Sequence, residues 1–377
     1  MTRAPAVLQV LPRLETGGVE RGTVEVTSAL VQAGWTAVVA SAGGRMKHDV
    51  ENVGGKHITL PVASKNPLTM LHNIWHLMNV IRHEGISLVH ARSRAPAWSA
   101  YYAAKFLQTP FVTTFHNAYA GRSALKLFYN GIMAKGSRVI AISEFVAEHV
   151  RLVYGVGNDR LRVIPRGVDT QRFNPDTVST DRSEALRQAW KINVDKPIIM
   201  LPGRLTRWKG QDVFINALAK LGHHNFQAVI VGSGDENYRQ ELVSLIEKLR
   251  LSDYIKIVDE CDDMPAAFAL TDFMVSASTR PEGFGRVIVE AAAMGCIVIA
   301  TDHGGAKETI IDGATGWLVP SSDSQALASA LQRGLDLSDD ERQIMASRAN
   351  NHVRQNYTTD LMTARTLDVY RELLNVS

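Results

Sequence analysis

Residues Ser276 to Glu308, SASTRPEGFGRVIVEAAAMGCIVIATDHGGAKE, decide how the rest of the chain is read. The apolar run FMVSAS, which ends at Ser278, predicts a buried strand. A loop with Pro281, Gly283 and Gly285 follows, then the Ala-rich run VIVEAAAMG, long enough for a short helix. The β-branched run IVIAT comes next and closes on Gly304 and Gly305. A strand–loop–helix–strand unit implies a parallel sheet. Its loop then leaves the carboxyl end of a strand, where open α/β sheets bind ligands. Glycines let backbone approach a ligand closely, and the amides at a helix N-terminus favour phosphate. Glu282 precedes the expected helix and Glu290 lies within it. Carboxylates accept hydroxyl hydrogen bonds, so both suit a sugar or ribose diol better than a phosphate. Such a pair of acids also arises by chance, and Glu290 could equally belong to a surface salt bridge. Against that reading, Glu290 is flanked by Val289 and Ala291 in a mostly apolar segment, where an unpaired carboxylate is costly.

The motif Glu282-Gly283-Phe284-Gly285, followed by Glu290, resembles the signature of retaining glycosyltransferases of the GT-B type, family four (group 1). The resemblance implies two Rossmann-like, doubly wound α/β domains facing across a cleft. It extends over nearly the whole chain. GRLTRWKG, after the strand PIIMLP, matches the family's Gly-Arg-Leu…Lys-Gly loop, in which Arg204 and Lys209 would hold the donor diphosphate. Two cations in a glycine loop also suit two phosphate charges on physical grounds. Gly17 and Gly18, between AVLQVLP and a helix-length segment, match the family's double glycine beside donor phosphates and acceptor. His116 directly follows FVTTF, where the family has a histidine near the transferred sugar. Gly232 and Gly234 match a family glycine pair, and the loop 259–264 matches one whose backbone reads the base. In the motif VIPRGVD the residue before Gly167 is Arg166, where the family usually has Asn, so its role is left open.

The remaining composition bounds these expectations. The chain has 377 residues, 45% hydrophobic and 21% charged, which fits two to three globular domains. No apolar run approaches the ~20 residues of a spanning helix, and the first residues have too short an apolar stretch for a secretory signal. A cytoplasmic protein is therefore expected, with Cys261 and Cys296 as buried free thiols. Domain boundaries are expected at 1–174 and 185–357, with a polar linker at 174–184 and a last helix, 358–377, that packs back on the first domain. Residues 1–180 carry 20 basic and 11 acidic side chains, and residues 181–377 carry 21 and 27. The basic half, the amphipathic stretch 122–138 (Arg122, Leu125, Lys126, Phe128, Ile132, Met133, Lys135 and Arg138) and Arg92 and Arg94 after the strand ISLVHA point to an anionic partner. An anionic membrane face carrying a lipid-linked acceptor is one candidate; an ordinary solvated surface is the other.

The expected activity is transfer of a hexosyl group from a UDP- or GDP-linked sugar to a saccharide or lipid-linked acceptor, as in lipopolysaccharide or other cell-envelope glycans. Arg204, Lys209, Glu282 and His116 are the catalytic candidates. Gly17, Gly18, Gly232, Gly283, Phe284, Gly285 and Glu290 are the donor-binding ones. No metal, cofactor or nucleic acid is expected. A sugar-nucleotide epimerase or a phosphorylase shares the fold and stands as the alternative. A dehydrogenase is disfavoured, since the double glycine is not G-x-G-x-x-G and the second strand, TAVVAS, ends in Ser41 without an acid for ribose.

Overall fold

A computed structural model describes residues 4–119, 121, 123–193, 195–222 and 225–376. It divides into two compact units, the chain up to Arg166 together with the segment from Thr359, and Gly167–Thr358.

The first unit holds seven strands: β1 (Ala6–Val10), β2 (Thr36–Ser41), β3 (Lys56–Thr59), β4 (Leu88–Ala91), β5 (Phe111–Phe115), β6 (Arg138–Ala141) and β7 (Leu161–Val163). All pair in parallel, in the order β3-β2-β1-β4-β5-β6-β7. The second unit repeats the plan with β8 (Ile198–Pro202), β9 (Gln227–Val231), β10 (Ile255–Val258), β11 (Phe273–Ser276), β12 (Ile297–Thr301) and β13 (Gly316–Val319). Their order, β10-β9-β8-β11-β12-β13, is again parallel. Each is the doubly wound order of nucleotide-binding sheets, with its direction reversing beside the first strand: between β1 and β4, and between β8 and β11. The central strands read as continuous apolar runs because helices cover both faces, and β1, β8, β9 and β12 are buried throughout.

Helix boundaries follow local chemistry. The helix Pro67–Glu84 starts where Asn66 accepts from the amides of Leu68 and Thr69 and Pro67 supplies a preset φ. It stops at Gly85, which takes the left-handed conformation at φ 63°. Ser143 caps the helix Glu144–Tyr154 by accepting from the Val146 amide at 3.1 Å.

The last helix, Thr359–Leu374, is part of the first unit. Met362, Leu367, Val369 and Tyr370 enter the same core as Val7, Leu88 and Val112. Glu372 adds ion pairs to Arg138 at 2.6 Å and Arg162 at 2.8 Å.

Several sequence expectations need correcting. The division falls after Arg166, not in 174–184. Val168 donates its amide to the Tyr357 carbonyl, and Phe173 is buried against Phe268, so this segment belongs to the second unit. The polar stretch expected as a linker instead begins the helix Thr180–Trp190, capped by Ser179 and tied by Arg182 to Asp263 through two hydrogen bonds of 2.8 and 2.7 Å. The stretch 122–138 is not one amphipathic helix. Arg122 lies outside the described residues; Ala124–Gly131 is helical, Ile132–Lys135 is a tight turn with Ile132 and Met133 buried, and Arg138 opens β6. Cys296 is buried, but Cys261 is only partly so.

Candidate functional site

In the second unit the loops after β8 and β11 leave neighbouring strands at the point where the strand order reverses. Backbone contacts lock them together. Gly210 sits at φ 72°, and a Cβ there would lie 2.0 Å from the Ala277 carbonyl oxygen. The Thr279 amide donates to the Trp208 carbonyl at 2.7 Å. On the other side a Cβ at Gly232 would lie 2.3 Å from the Gly203 carbonyl oxygen, and one at Gly234 2.3 Å from that of Leu205. The expected glycines therefore serve strand-end packing, whatever else they approach.

This framework carries Lys209 to Glu282. The Lys209 ammonium donates to Glu282 Oε1 at 2.7 Å, and the Ser278 hydroxyl donates to the same oxygen at 2.5 Å. Both members of the pair are largely screened, with side chains 15% and 20% exposed, so the attraction is much less diluted by water than in a surface pair. The sequence reading gave Lys209 and Glu282 separate tasks; they are partners here. Ser278 was missed, and its only sequence signal is its place at the end of the strand run. Arg204, on the same loop, is exposed, while its carbonyl accepts from the buried Gln211 side chain at 3.0 Å.

The Glu282–Gly285 turn is backed by the double glycine after β12. Gly304, at φ 61°, leaves room for the Glu282 carbonyl, which a Cβ would meet at 2.4 Å, and the Gly305 amide donates to that carbonyl at 3.0 Å. Phe284 is buried, with its ring 5.6 Å from that of Tyr357, so it anchors the turn. Gly285 (φ 85°) starts the helix Arg286–Ala293. Glu290 lies on that helix 3.5 Å from Arg286 Nε, a largely screened pair one turn apart. In the loop at 259–264, Asp263 caps the helix Met264–Ala269 besides holding Arg182, which gives it a structural task. Glu260 accepts from the Ser233 hydroxyl at 2.7 Å.

The first unit is built differently. Gly17 and Gly18 are exposed at the start of the helix Gly18–Gln32, beyond the end of β1. Arg92, just past β4, does not reach solvent. It is buried and donates to Gln9 Oε1 on β1 at 2.7 Å, filling the point of strand-order reversal. Gln9 is held in turn by its own donation to Thr27 Oγ1 at 2.9 Å. His90, also buried, shares hydrogen bonds with Tyr370 at 2.6 Å and Thr114 at 2.7 Å. Arg166 is buried as well and points at Gly22, where a Cβ would lie 2.2 Å from its Nη1. That gives Arg166 a place: a glycine on the first helix makes room for a guanidinium. Arg94 also departs from expectation, since it donates to Asn130 Oδ1 at 2.9 Å and lies over the Tyr119 ring at 4.3 Å.

His116 follows β5 beside this cluster, with Nε2 buried and without a hydrogen-bond partner among the described residues. Burial, then the charges of Arg166 and Arg92 and the neighbouring His90, push its pKa well below the usual histidine value. At neutral pH the ring is an uncharged imidazole, able to exchange a hydrogen bond but not to supply a charge. Among the described residues, no group of three or more His, Cys, Asp or Glu is arranged to hold a metal ion. No helix among them is long and apolar enough to cross a membrane.

Two sheets of this order, each with its loops gathered at the carboxyl edge, define the Rossmann-like two-domain architecture called GT-B. The family model for glycosyl transferases group 1 matches residues 182–352, and that for glycosyltransferase family 4 matches residues 16–172. The chain belongs to this family. The crystal structure of a glycosyltransferase from Rickettsia africae superposes with a TM-score of 0.92 at 37% identity, covering 99% of this chain and 100% of that one. Anabaena HepE in complex with UDP superposes at 0.86 and 24% identity, over 97% and 100% of the two chains, a likeness of fold. The D-inositol 3-phosphate glycosyltransferase of Xylanimonas cellulosilytica is 30% identical over 245 residues, 64% of this chain and 58% of that protein. The matched stretch thus spans about three fifths of that relative's length, and about half of the length of further curated relatives.

Proposed function

We propose that the protein transfers a hexosyl group, with retained anomeric configuration, from a UDP- or GDP-linked sugar to a hydroxyl of a saccharide or lipid-linked acceptor. The observation that carries this reading is the Lys209–Glu282 pair, held by glycine-packed loops where the second sheet reverses its order. A donor diphosphate entering there would draw the ammonium away from the carboxylate. Lys209 and the exposed Arg204 would then stabilise charge growing on the leaving diphosphate, aided by the amides after Gly285. Glu282, released from Lys209 but still bonded to Ser278, would accept from hydroxyls of the transferred sugar. Glu290 would hold the ribose, exchanging its contact with Arg286. In the first unit, neutral His116 would give or take a hydrogen bond at the sugar without adding charge. The cations already present supply what a bridging metal ion otherwise supplies, so activity should survive EDTA.

The acceptor belongs, on this reading, to lipopolysaccharide or another cell-envelope glycan. UDP- and GDP-sugars incubated with and without saccharide acceptors test the proposal, with the product anomer read by NMR. Glycosidic product of the donor's own anomeric configuration is expected. Inverted product would remove the retaining reading. Turnover that needs no acceptor would favour an epimerase.

A further inference from the structure

The first unit carries an apolar face that its own core leaves uncovered. It is made by the helices Pro67–Glu84, Arg94–Phe106 and Ala124–Gly131. Leu68 (77% exposed), Leu71 (63%), Trp75 (56%), Phe106 (64%), Leu125 (78%) and Phe128 (68%) stand out from it. Isolated exposed apolar residues are ordinary, but a contiguous group marks an interaction site. Leu71, Phe106 and Phe128 are joined through Trp98 and Tyr102. Trp98 lies 5.3 Å from Phe128 and 6.5 Å from Tyr102, measured between ring centres, and Tyr102 lies 6.4 Å from Phe106. The Trp98 indole N–H donates to the Tyr129 carbonyl at 3.2 Å, and Ser99 donates to the Met70 carbonyl at 2.9 Å, so the three helices are fixed to one another.

Between them lies an apolar pocket of about 430 Å³, lined by Met70, Leu71, Ile74, Trp98 and Tyr129, with Lys65 on its lining. That volume is within the usual range of small-molecule sites. The segment that builds this face carries charge of nearly one sign. From residue 52 to residue 143 the only acid is Glu84, and it is bonded to Lys56 at 2.7 Å. Lys65, Arg82, Lys105, Lys126 and Lys135 are all exposed. Apolar and aromatic groups with exposed cations on the same helices and on the pocket lining match the boundary between anionic headgroups and hydrocarbon.

We infer that this face docks on an anionic lipid surface, with a hydrocarbon chain of a lipid entering the Trp98 pocket and Lys65 and Lys126 meeting headgroup phosphates. The surface differs from the basic stretch 122–138 expected from sequence. Arg138 is paired to Glu372 and Ile132 and Met133 are internal, while the helix Pro67–Glu84 supplies half of the exposed apolar residues. The inference rests on the proposed lipid-linked acceptor for its purpose, but its test uses neither donor nor acceptor, so the two readings fail separately.

The experiment is co-sedimentation of the full chain with phosphatidylcholine vesicles and with equimolar phosphatidylcholine–phosphatidylglycerol vesicles. Binding is expected only to the second, weakening as salt rises. Lys65→Glu with Lys126→Glu should lower partition at least about tenfold. Leu71→Asp with Phe128→Asp, at exposed positions that leave the melting temperature unchanged, should abolish it. Brominated acyl chains should quench tryptophan fluorescence in the wild type and much less in Trp75→Phe with Trp98→Phe. Three results would overturn the inference. One is equal recovery in the supernatant with and without anionic vesicles at low salt. Another is binding unaffected by the paired aspartates. The third is a stable dimer, dissolved by those aspartates, in a protein that binds no vesicles, which would assign the face to a second copy of the chain.

Discussion

The two units share a strand order and differ in how they treat charge at the point where that order reverses. In the second unit the position stays open, and Lys209 and Glu282 meet there as a partly accessible ion pair. In the first, the side chain of Arg92 fills it, with Arg166 and His90 also buried and His116 beside them with its Nε2 shielded from water. The same scaffold is thus used once to present exchangeable charges and once to bury fixed ones. An exchangeable pair suits a ligand that brings its own charge. A buried cationic cluster instead sets the state of its neighbour, keeping the His116 ring neutral.

If that contrast is right, removing a charge should hurt turnover in the second unit, and removing a buried neutral ring in the first should lessen the loss of stability on acidification. The largest effect is expected from Lys209→Ala. Losing a preorganised cation at the leaving group should cut kcat about 10²–10³-fold. The melting temperature should shift by only a few degrees, because Ser278 still bonds Glu282. Steady-state kinetics beside thermal unfolding checks this; loss of stability in proportion to loss of activity would make the pair structural.

Next in size is Gly210→Ala, which strikes the frame rather than the charges. A left-handed backbone and a Cβ 2.0 Å from the Ala277 carbonyl together predict roughly 2–4 kcal/mol of destabilisation. Chemical denaturation measures it. Unchanged stability would mean that the loops after β8 and β11 are not locked.

The smallest effect concerns pH and belongs to the first unit. His90 and His116 both have folded-state pKa values below the unfolded value, chiefly through burial. The unfolded chain therefore binds more protons as pH falls through about 6.5, and stability drops there, by up to about 1.4 kcal/mol per pH unit for each ring. Above that pH both states are neutral and the effect vanishes. His116→Asn should make the profile between pH 6.5 and 5 measurably shallower, by up to about 1.4 kcal/mol per pH unit. An unaltered profile would separate His116 from the buried cluster.

How legible these features were in the sequence follows the same divide. Strands buried on both faces, such as IVIAT and AVLQV, stand out as apolar runs, and the loop glycines mark where they end. The edge strands β3, KHIT, and β7, LRV, are only partly buried and show no such run, while β13, GWLV, is mostly buried but too short at four residues to stand out. Arg204, Lys209, Glu282 and Glu290 became candidates through a family resemblance carried by motifs whose spacing along loops and a helix is local. The pairing of Lys209 with Glu282 was not, since it depends on two loops 73 residues apart lying side by side. Arg92 read as a surface cation because a polar residue after a strand usually is one. Only the three-dimensional neighbours Gln9 and Tyr370 reveal it as buried. The helix Thr180–Trp190 was hidden for the opposite reason, being polar all round with no buried residue.

The claim on which the rest depends is that the second unit receives the diphosphate of a nucleotide sugar through Lys209 and Arg204. Isothermal titration of UDP and of GDP into the wild type and into Arg204→Ala with Lys209→Ala tests it most directly. The account predicts that one nucleotide binds the wild type and that the double variant, with a melting temperature within a few degrees of it, binds it at least about 100-fold more weakly, since charge-assisted phosphate bonds contribute roughly 1.5–3 kcal/mol each. Equal affinity in the two proteins would contradict it.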